Sequence, residues 1–426
     1  MKKIIISLFA FTASLLLFVA SANANEGSIA FVGATIIDGT NADPLIDGIL
    51  VITDGRIRGV GPRSAVTIPD EAQIINVAGK TIMPGLINAH GHVGGTLGLG
   101  GGQYNTGNLL RQLGLYARYG VTTVNSLGGD EEQGFALRNE QFNTDLDRAR
   151  IFVSGSVVVG DSEEAIRDEV NRNADMGANF IKVRVDDNLG SSEKMSQDLF
   201  TALVDQAHVR RLPVAVHLFY REDAKFILDA GGDLLAHSVR DLPVDQELIA
   251  KIQDNDVCYI PTLTREVSTF VYESVPDFFS DPYFLKEADS DILEELQTSE
   301  RMSRMASSSS AQGYKAALEV AMDNVARLDD AGVKIAMGTD TGPPARFQGY
   351  FEHMEMHMMV EAGMSPIDAI RASTGVAADC INVGDVGTLE PNKWGDFIVL
   401  GANPAENIMN TKTIESVWIA GNRVPD

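Results

Sequence analysis

The amino-acid sequence predicts an α/β protein made of a (β/α)₈ barrel and a small β-sandwich built from both ends of the mature chain. Three observations predict this fold class. Eight short apolar runs alternate with helix-like stretches in the middle of the chain, as parallel strands covered on both faces do. Short strands bracket that region at both ends, and 426 residues allow two to three domains.

The first 24 residues have the pattern of a signal peptide. Lys2 and Lys3 precede an apolar run over residues 4–20, and Ala22-Asn23-Ala24 supplies a cleavage site of small residues. Cleavage after Ala24 would leave a secreted or periplasmic chain with no stable membrane insertion. An uncleaved membrane anchor is the alternative, although the apolar run is at the short limit for a bilayer span.

Residues 25–80 and 385–426 are predicted to form the β-sandwich. The turn Asp54-Gly55 lies between two apolar runs, which is a strong hairpin signal. Near the other end, the turn Gly421-Asn422 follows the strand-like run 415–420. The simplest interpretation is one small sheet domain to which both ends contribute.

Residues 81–384 are predicted to form the barrel. Eight strand–helix units over this length fit a closed barrel, and a doubly wound open sheet is the alternative. A helical and aromatic insert at about 262–334 is longer than a barrel connection needs, so it is either a lid or substrate-binding element or a packing element. The eight apolar runs are residues 81–89, 121–125, 151–154, 180–185, 214–217, 234–237, 257–261 and 335–338.

Charge and cysteine content limit the partners. The net charge of −25 argues against binding to nucleic acid, because a negative field repels phosphate backbones. Cys258 lies in a strand-like run and Cys380 in a helix-like one. We expect two buried small hydrophobic side chains there, with a disulfide as the alternative.

Histidines and one aspartate end several of the predicted strands. His90 and His92 are two residues apart, so on a strand their side chains point to the same side. His217, His237 and Asp340 each follow another apolar run, at the end where barrel enzymes place their chemistry. Taken one at a time, the histidines could be turn or core residues, and the aspartate could cap a helix.

Lys182 lies inside an otherwise apolar run. A buried lone ammonium is costly, so the lysine must be neutral, modified, paired with Asp186 or Asp187, or turned towards solvent. Together with the strand-end residues, it suggests a site for zinc or a similar transition metal. The predicted metal-site residues are His90, His92, Lys182, His217, His237 and Asp340.

This order of residues resembles the amidohydrolase superfamily, and it is most similar to the imidazolonepropionase-like and metal-dependent dipeptidase branch. The resemblance extends over nearly all of the mature chain, including residues 81–90, 361–366, 387–390 and 395–400. It implies a TIM barrel with a β-sandwich. It also implies two divalent metal ions, with zinc expected, and a carboxylated Lys182 that bridges them.

The resemblance also implies the chemistry. His90, His92 and Asp340 would hold one ion, and His217 and His237 the other. Two cations lower the pKa of bound water, so that hydroxide can attack an amide or peptide-like C–N bond. Asp340 would be both a ligand and the catalytic base that passes a proton to the leaving amine. The expected partner is a small-molecule substrate, and homo-oligomerisation is an open alternative.

The substrate is not evident from the sequence. Prolidase-like members carry a histidine after strand 3 that is absent here, and their strand-5 tyrosine is displaced by one place to Tyr220. Tyr220, Arg265 and His353 are candidate substrate residues, with Arg265 able to clamp a carboxylate. Packing or surface pairing is the alternative role for each of them.

Three other functions fit the same residues. The same site could hydrolyse a lactone, an ester or a phosphotriester. A mononuclear deaminase is a further alternative, although that branch lacks the bridging lysine. The last is an exported binding protein with an inactive metal site.

Overall fold

The computed structural model describes residues 27–425, so the predicted signal peptide lies outside the described residues. Within them, no helix combines the length and apolar character of a membrane span. The strands are β1 (Ile29–Ile36), β2 (Leu45–Thr53), β3 (Arg56–Pro62), β4 (Gln73–Asn76), β5 (Thr81–Pro84), β6 (Leu86–Gly91), β7 (Thr96–Leu97), β8 (Gly100–Gly101), β9 (Val121–Ser126), β10 (Arg150–Val153), β11 (Ile181–Val185), β12 (Val214–Leu218), β13 (Leu234–Ala236), β14 (Cys258–Ile260), β15 (Phe397–Leu400), β16 (Ile414–Ile419) and β17 (Asn422–Arg423).

Helices occupy most of the connections between the central strands. The helices are α1 (Thr106–Arg118), α2 (Glu132–Glu140), α3 (Glu163–Met176), α4 (Gln197–Val209), α5 (Arg221–Asp229), α6 (Gln246–Asp254), α7 (Leu263–Ser268), α8 (Pro282–Leu285), α9 (Ser290–Leu296), α10 (Ser299–Ala306), α11 (Ser309–Asp330), α12 (Tyr350–Glu361), α13 (Pro366–Ala372) and α14 (Gly375–Cys380). Helices α3, α4, α6 and α11 each begin after a Ser or Asp whose side chain accepts a backbone N–H, which satisfies donors that the first turn leaves free.

Strands from both ends of the chain join in one mixed sheet. The order is β17-β16-β15-β5-β1-β2-β3, and β4 also pairs with β1. Both ends of the described chain therefore contribute strands to one sheet. The finer prediction of a β-sandwich is not confirmed, because hydrogen bonds connect all eight of these described strands into a single sheet.

The predicted strand over residues 81–89 is two strands. β5 pairs with β1 and β15 in the mixed sheet, whereas β6 pairs in parallel with β9. Gly85 lies between them, where a Cβ atom would come within 2.1 Å of Thr122 Oγ1. Only glycine permits this close approach, so it allows the chain to pass from one sheet to the other.

The central strands form two parallel sheets, ordered β10-β9-β6 and β11-β12-β13-β14. Isolated parallel bridges connect them: Val158 with Val183, Tyr259 with residue Ile335, and Thr341 with Gly91. The eight predicted runs thus follow one another in the predicted order. Because residues 335–341 pair only through single bridges, the described residues do not form one continuous closed ladder.

The aromatic part of the predicted insert is a packing element. Phe279 and Phe284 are buried in a cluster with Tyr350 and Phe351 of α12. The rings of Phe279 and Phe284 are stacked with their centroids 5.6 Å apart. Burial of such large rings fixes α8 and the preceding turn against α12.

The expectation of two separate cysteines is wrong. Cys258 of β14 and Cys380 at the end of α14 form a disulfide, with their Cα atoms 5.8 Å apart. They are separated by 122 residues in the sequence. No local sequence pattern predicts such a pairing, because the strand and the helix come together only in the folded chain.

Candidate metal centre

The structure brings the six predicted metal-site residues together at one end of the central strands. His90 lies in β6 and His92 directly follows this strand. Side chains two residues apart along a strand point to the same face, so both imidazoles face the same side. Lys182 and His217 lie in β11 and β12, where Lys182 is paired with Ala215 and His217 with Arg184. His237 follows β13, and Asp340 follows the irregular run that begins at residue 335.

His90, His92 and Asp340 form the tightest part of the cluster. One ligand atom from each lies within 4.8 Å of the others. His92 Nε2 is 2.8 Å from Asp340 Oδ1, and His90 Nε2 is 3.7 Å from the same oxygen. Asp340 has a left-handed backbone with φ of 56°, a conformation that few non-glycine residues adopt and that recurs at functional sites.

Lys182 is directed at this group. Its Nζ atom lies 3.3 Å from His90 Nε2, and the side chain is buried. Burial lowers the pKa of Lys182 to about 7, against the opposing effect of Asp340. A buried amine of this kind is neutral far more readily than an ordinary lysine.

His217 and His237 complete the cluster. The ring centroid of His237 lies 4.1 Å from that of His217 and 4.6 Å from that of His90. Burial lowers the pKa of His217 to about 3, and it holds the pKa values of His90 and His237 well below the usual range. These rings are therefore neutral at pH 7, which is the form that binds metal.

Three of the rings are held by a partner on one nitrogen. His92 Nδ1 is 3.1 Å from the carbonyl oxygen of Gly128, and His237 Nδ1 is 2.7 Å from Thr262 Oγ1. His217 Nε2 is 2.7 Å from Asp186 Oδ2. In each ring the other nitrogen remains as a ligand atom, which is how metal-binding histidines are usually oriented.

The donor set fits divalent metal ions. Neutral imidazoles and carboxylate oxygens are the ligands that zinc and similar ions prefer. Burial alone would raise the pKa of Asp340, but Arg346 and His92 outweigh it and hold this pKa well below the usual range. The carboxylate is therefore ionised and available as an anionic ligand.

Two arginines approach the far oxygen of Asp340. Arg346 Nη1 donates a hydrogen bond to Asp340 Oδ2, and Arg265 Nε lies 4.0 Å from that oxygen. The predicted candidate Arg265 is thus brought to the cluster. It is also held there, because its Nη1 atom donates to both carboxylate oxygens of Glu266.

The other two predicted substrate residues are engaged by partners other than the metal ligands. Tyr220 donates a hydrogen bond of 2.7 Å to Asp187 Oδ1, and Lys194 lies over its ring. His353 is buried in α12, with Nδ1 2.9 Å from Thr411 Oγ1 and Nε2 2.8 Å from the carbonyl oxygen of Tyr119. Both nitrogens of His353 are engaged there, so the structure does not bring it to the cluster.

Sequence reasoning missed Arg346, Thr262 and the pairing of Asp186 with His217. The sequence suggests Asp186 only as a partner for Lys182. Its position four residues after Lys182, directly beyond β11, is a usable signal, because the ends of β11 and β12 are adjacent. Arg346 and Thr262 lie in irregular connections, where no periodicity predicts the direction of a side chain.

Comparisons with known proteins agree with this geometry. The sequence model described as "Amidohydrolase family" matches residues 81–424. An imidazolonepropionase from Streptomyces griseus is 22% identical over 91% of this chain and 95% of its own length. An imidazolonepropionase from Deinococcus deserti is 31% identical, but over only 23% of this chain and 25% of its own length.

The fold has solved counterparts. A Xaa-Pro dipeptidase, solved with methionine bound in its active site, superposes with a TM-score of 0.74 over 94% of this chain and 100% of its own, at 20% identity. Together with the family match, this likeness implies a TIM-barrel α/β fold, the coarser part of the fold prediction.

Proposed function

Because this chain belongs to the amidohydrolase family, we propose that it is an exported hydrolase that uses two divalent metal ions to cleave an amide or peptide-like C–N bond of a small molecule. One observation supports this most directly. All six residues that the family pattern requires converge on one cluster, with Lys182 Nζ 3.3 Å from His90 Nε2 and the His217 ring packed on His237.

The ligands divide into two groups that share Lys182. His90, His92 and Asp340 would hold one ion, since their ligand atoms already lie within 4.8 Å of one another. His217 and His237 would hold the second. A carboxylated Lys182 would contact both, and its low pKa supports this modification, because only the neutral amine reacts with carbon dioxide.

The metal ions would activate water and polarise the scissile carbonyl group when bound. Asp340 would accept the proton of the attacking water and deliver it to the leaving nitrogen, as a general base and then a general acid. Arg346 keeps Asp340 ionised and oriented through its hydrogen bond to Oδ2. Gly128, Asp186 and Thr262 hold the histidine rings in place.

Export is the second part of the proposal. The predicted signal peptide at residues 1–24 supports it, and so does the Cys258–Cys380 disulfide, since disulfides persist in oxidising compartments and are rare in the cytosol. Cell fractionation tests it, with a cleaved chain beginning at about Asn25 expected outside the cytoplasm. A full-length chain in the cytoplasm would contradict export.

Metal analysis combined with a substrate screen tests the enzymatic part. The purified chain, loaded with zinc, manganese or cobalt, should bind two ions and hydrolyse members of a dipeptide and N-acyl amino acid library. One ion per chain would favour a deaminase instead. Turnover of lactones or phosphotriesters alone would favour the alternative hydrolases, and no turnover of any class would favour a binding protein.

A further inference from the structure

Three arginines beside the metal centre share two carboxylates. Arg240 Nε lies 3.0 Å from Glu266 Oε1, and Arg265 Nη1 contacts both oxygens of that carboxylate. Arg265 Nε also lies 4.0 Å from Asp340 Oδ2, to which Arg346 Nη1 donates. This arginine cluster (Arg240, Glu266, Arg265, Asp340 and Arg346) therefore holds three positive charges and two negative ones.

Neighbouring carboxylates do not neutralise the excess positive charge of the arginine cluster. Asp186, which acts on Arg240 from further away, has Arg184 at 3.5 Å as its own ion pair. Divalent ions at the metal centre would add more positive charge than a carboxylated Lys182 would remove. Since buried charges are costly unless they are paired, the arginine cluster favours a ligand that brings a negative charge.

Arg346 is the member of the cluster best placed to receive that ligand. Its side chain is 18% exposed, against 8% for Arg265 and none for Arg240. Glu266 fixes the other two guanidinium groups, whereas Arg346 is held by Asp340 and by a 3.0 Å hydrogen bond from Nε to Ser268 Oγ. A guanidinium group recognises a carboxylate with paired, directional hydrogen bonds.

A cavity opens beside the arginine cluster. It has a volume of about 390 Å³ and is lined in part by Ser268, which bonds Arg346, and by Tyr314, whose ring lies 4.4 Å from the Arg265 guanidinium carbon. Leu296 and Met305 of the insert supply apolar lining to the same cavity. Arg301 and Arg304 also reach this cavity, but each is paired with a glutamate of the insert.

We propose that Arg346 binds a free carboxylate of the substrate and that the insert cavity takes an adjacent apolar group, so that acids such as N-acyl or dipeptidyl derivatives of apolar amino acids are the preferred substrates. This inference rests on the proposed amide hydrolase function and narrows its substrate class. It assigns a role in specificity to the insert at residues 262–334 as well.

Matched substrates test the carboxylate. N-acetyl-L-leucine and N-acetyl-L-leucinamide share the acetyl–nitrogen bond whose cleavage is measured, and the terminal carboxylate of the first is a neutral carboxamide in the second. Wild-type protein should favour the acid by at least about 10-fold in kcat/KM, as a charged hydrogen-bonded pair provides. Arg346→Gln should abolish this ratio, chiefly through KM, and Arg346→Lys should restore part of it. Arg167→Gln, which breaks an exposed pair with Glu163, should leave the ratio unchanged.

Binding gives a readout that is independent of turnover. Isothermal titration with the same two compounds should show at least about 10-fold tighter binding of the acid to wild type, and equal binding to Arg346→Gln. Equal affinities in wild type, or an unchanged preference in Arg346→Gln, would overturn the inference. Hydrolysis of acid and amide at equal rates would overturn it while leaving the proposed function intact, whereas charge-selective binding with no turnover would contradict only the proposed function.

A substitution in the cavity lining tests whether the cavity holds the apolar group. Met305→Trp should raise KM for N-acetyl-L-leucine by at least about 10-fold and leave N-acetylglycine nearly unaffected, since only the larger side chain needs the filled space. An equal change for both substrates would show that the cavity does not hold the apolar group.

Discussion

Asp186 Oδ2 lies 2.7 Å from His217 Nε2, with Asp186 directly after β11 and His217 in the adjacent strand β12. The hydrogen bond holds the pKa of Asp186 well below its usual range, overcoming the effect of burial. It also leaves Nδ1 of His217 as the ligand atom. A carboxylate in this position orients the ring and increases its basicity.

Asp186→Asn should therefore weaken metal binding by about 10- to 100-fold. Competition with a chromogenic chelator measures the dissociation constants. Asp233→Asn is the matched control, because Asp233 makes a similar 3.0 Å contact with His208 on the protein surface. Equal effects of the two substitutions would show that the Asp186–His217 contact has no special role at the metal centre.

Asp340→Asn should lower kcat by at least about 100-fold, since the amide cannot accept the proton of the attacking water. Metal content must be measured on the same samples, because Asp340 is also a proposed ligand. A variant that retains its metal but has lost turnover would separate the two roles. Near-normal turnover would show that another group is the base.

Lys182→Met should inactivate the protein by removing the group proposed to contact both ions. In the metal-free protein, the same substitution should raise the melting temperature relative to wild type. The pKa of Lys182 falls from 10.5 to about 7 on folding, so between these values the unfolded chain binds more protons and wild-type stability rises with pH.

The stabilisation by Lys182→Met should thus be greatest below about pH 7 and shrink towards pH 10. Thermal unfolding in the presence of a chelator measures it. A difference that does not vary with pH would show that the lysine titrates normally in the folded chain.

Removing the disulfide should destabilise the protein. The double substitution of Cys258 and Cys380 by alanine should cost about 2–4 kcal/mol of unfolding free energy, because a cross-link over 122 residues restricts the unfolded chain. Urea unfolding measures the loss. Reductant should destabilise wild type but not the double variant, and a free thiol titrated in unreduced denatured protein would contradict the cross-link.

The positions of the proposed ligands could be predicted, because five of them end or follow an apolar run and Lys182 lies within one. His90, His217 and His237 end strands of the predicted parallel arrangement, and parallel strands bring their carboxyl ends to one edge. Arg346 could not be predicted, since it lies in an irregular connection after Asp340. The structure does not support a substrate role for His353, because the carbonyl oxygen of Tyr119 and Oγ1 of Thr411 engage its two ring nitrogens.

The sequence by itself determined which side chains could bind metal and the order of the elements that present them, because hydrophobic periodicity and residue chemistry are local properties. Only the tertiary structure decided the contacts between distant segments. Three features depend on packing that the sequence does not reveal. They are the disulfide between Cys258 and Cys380, the passage of the chain between sheets at Gly85, and the hydrogen bond from Arg346 to Asp340. Burial then set the charge states, since desolvation acts on a side chain only once the fold has enclosed it.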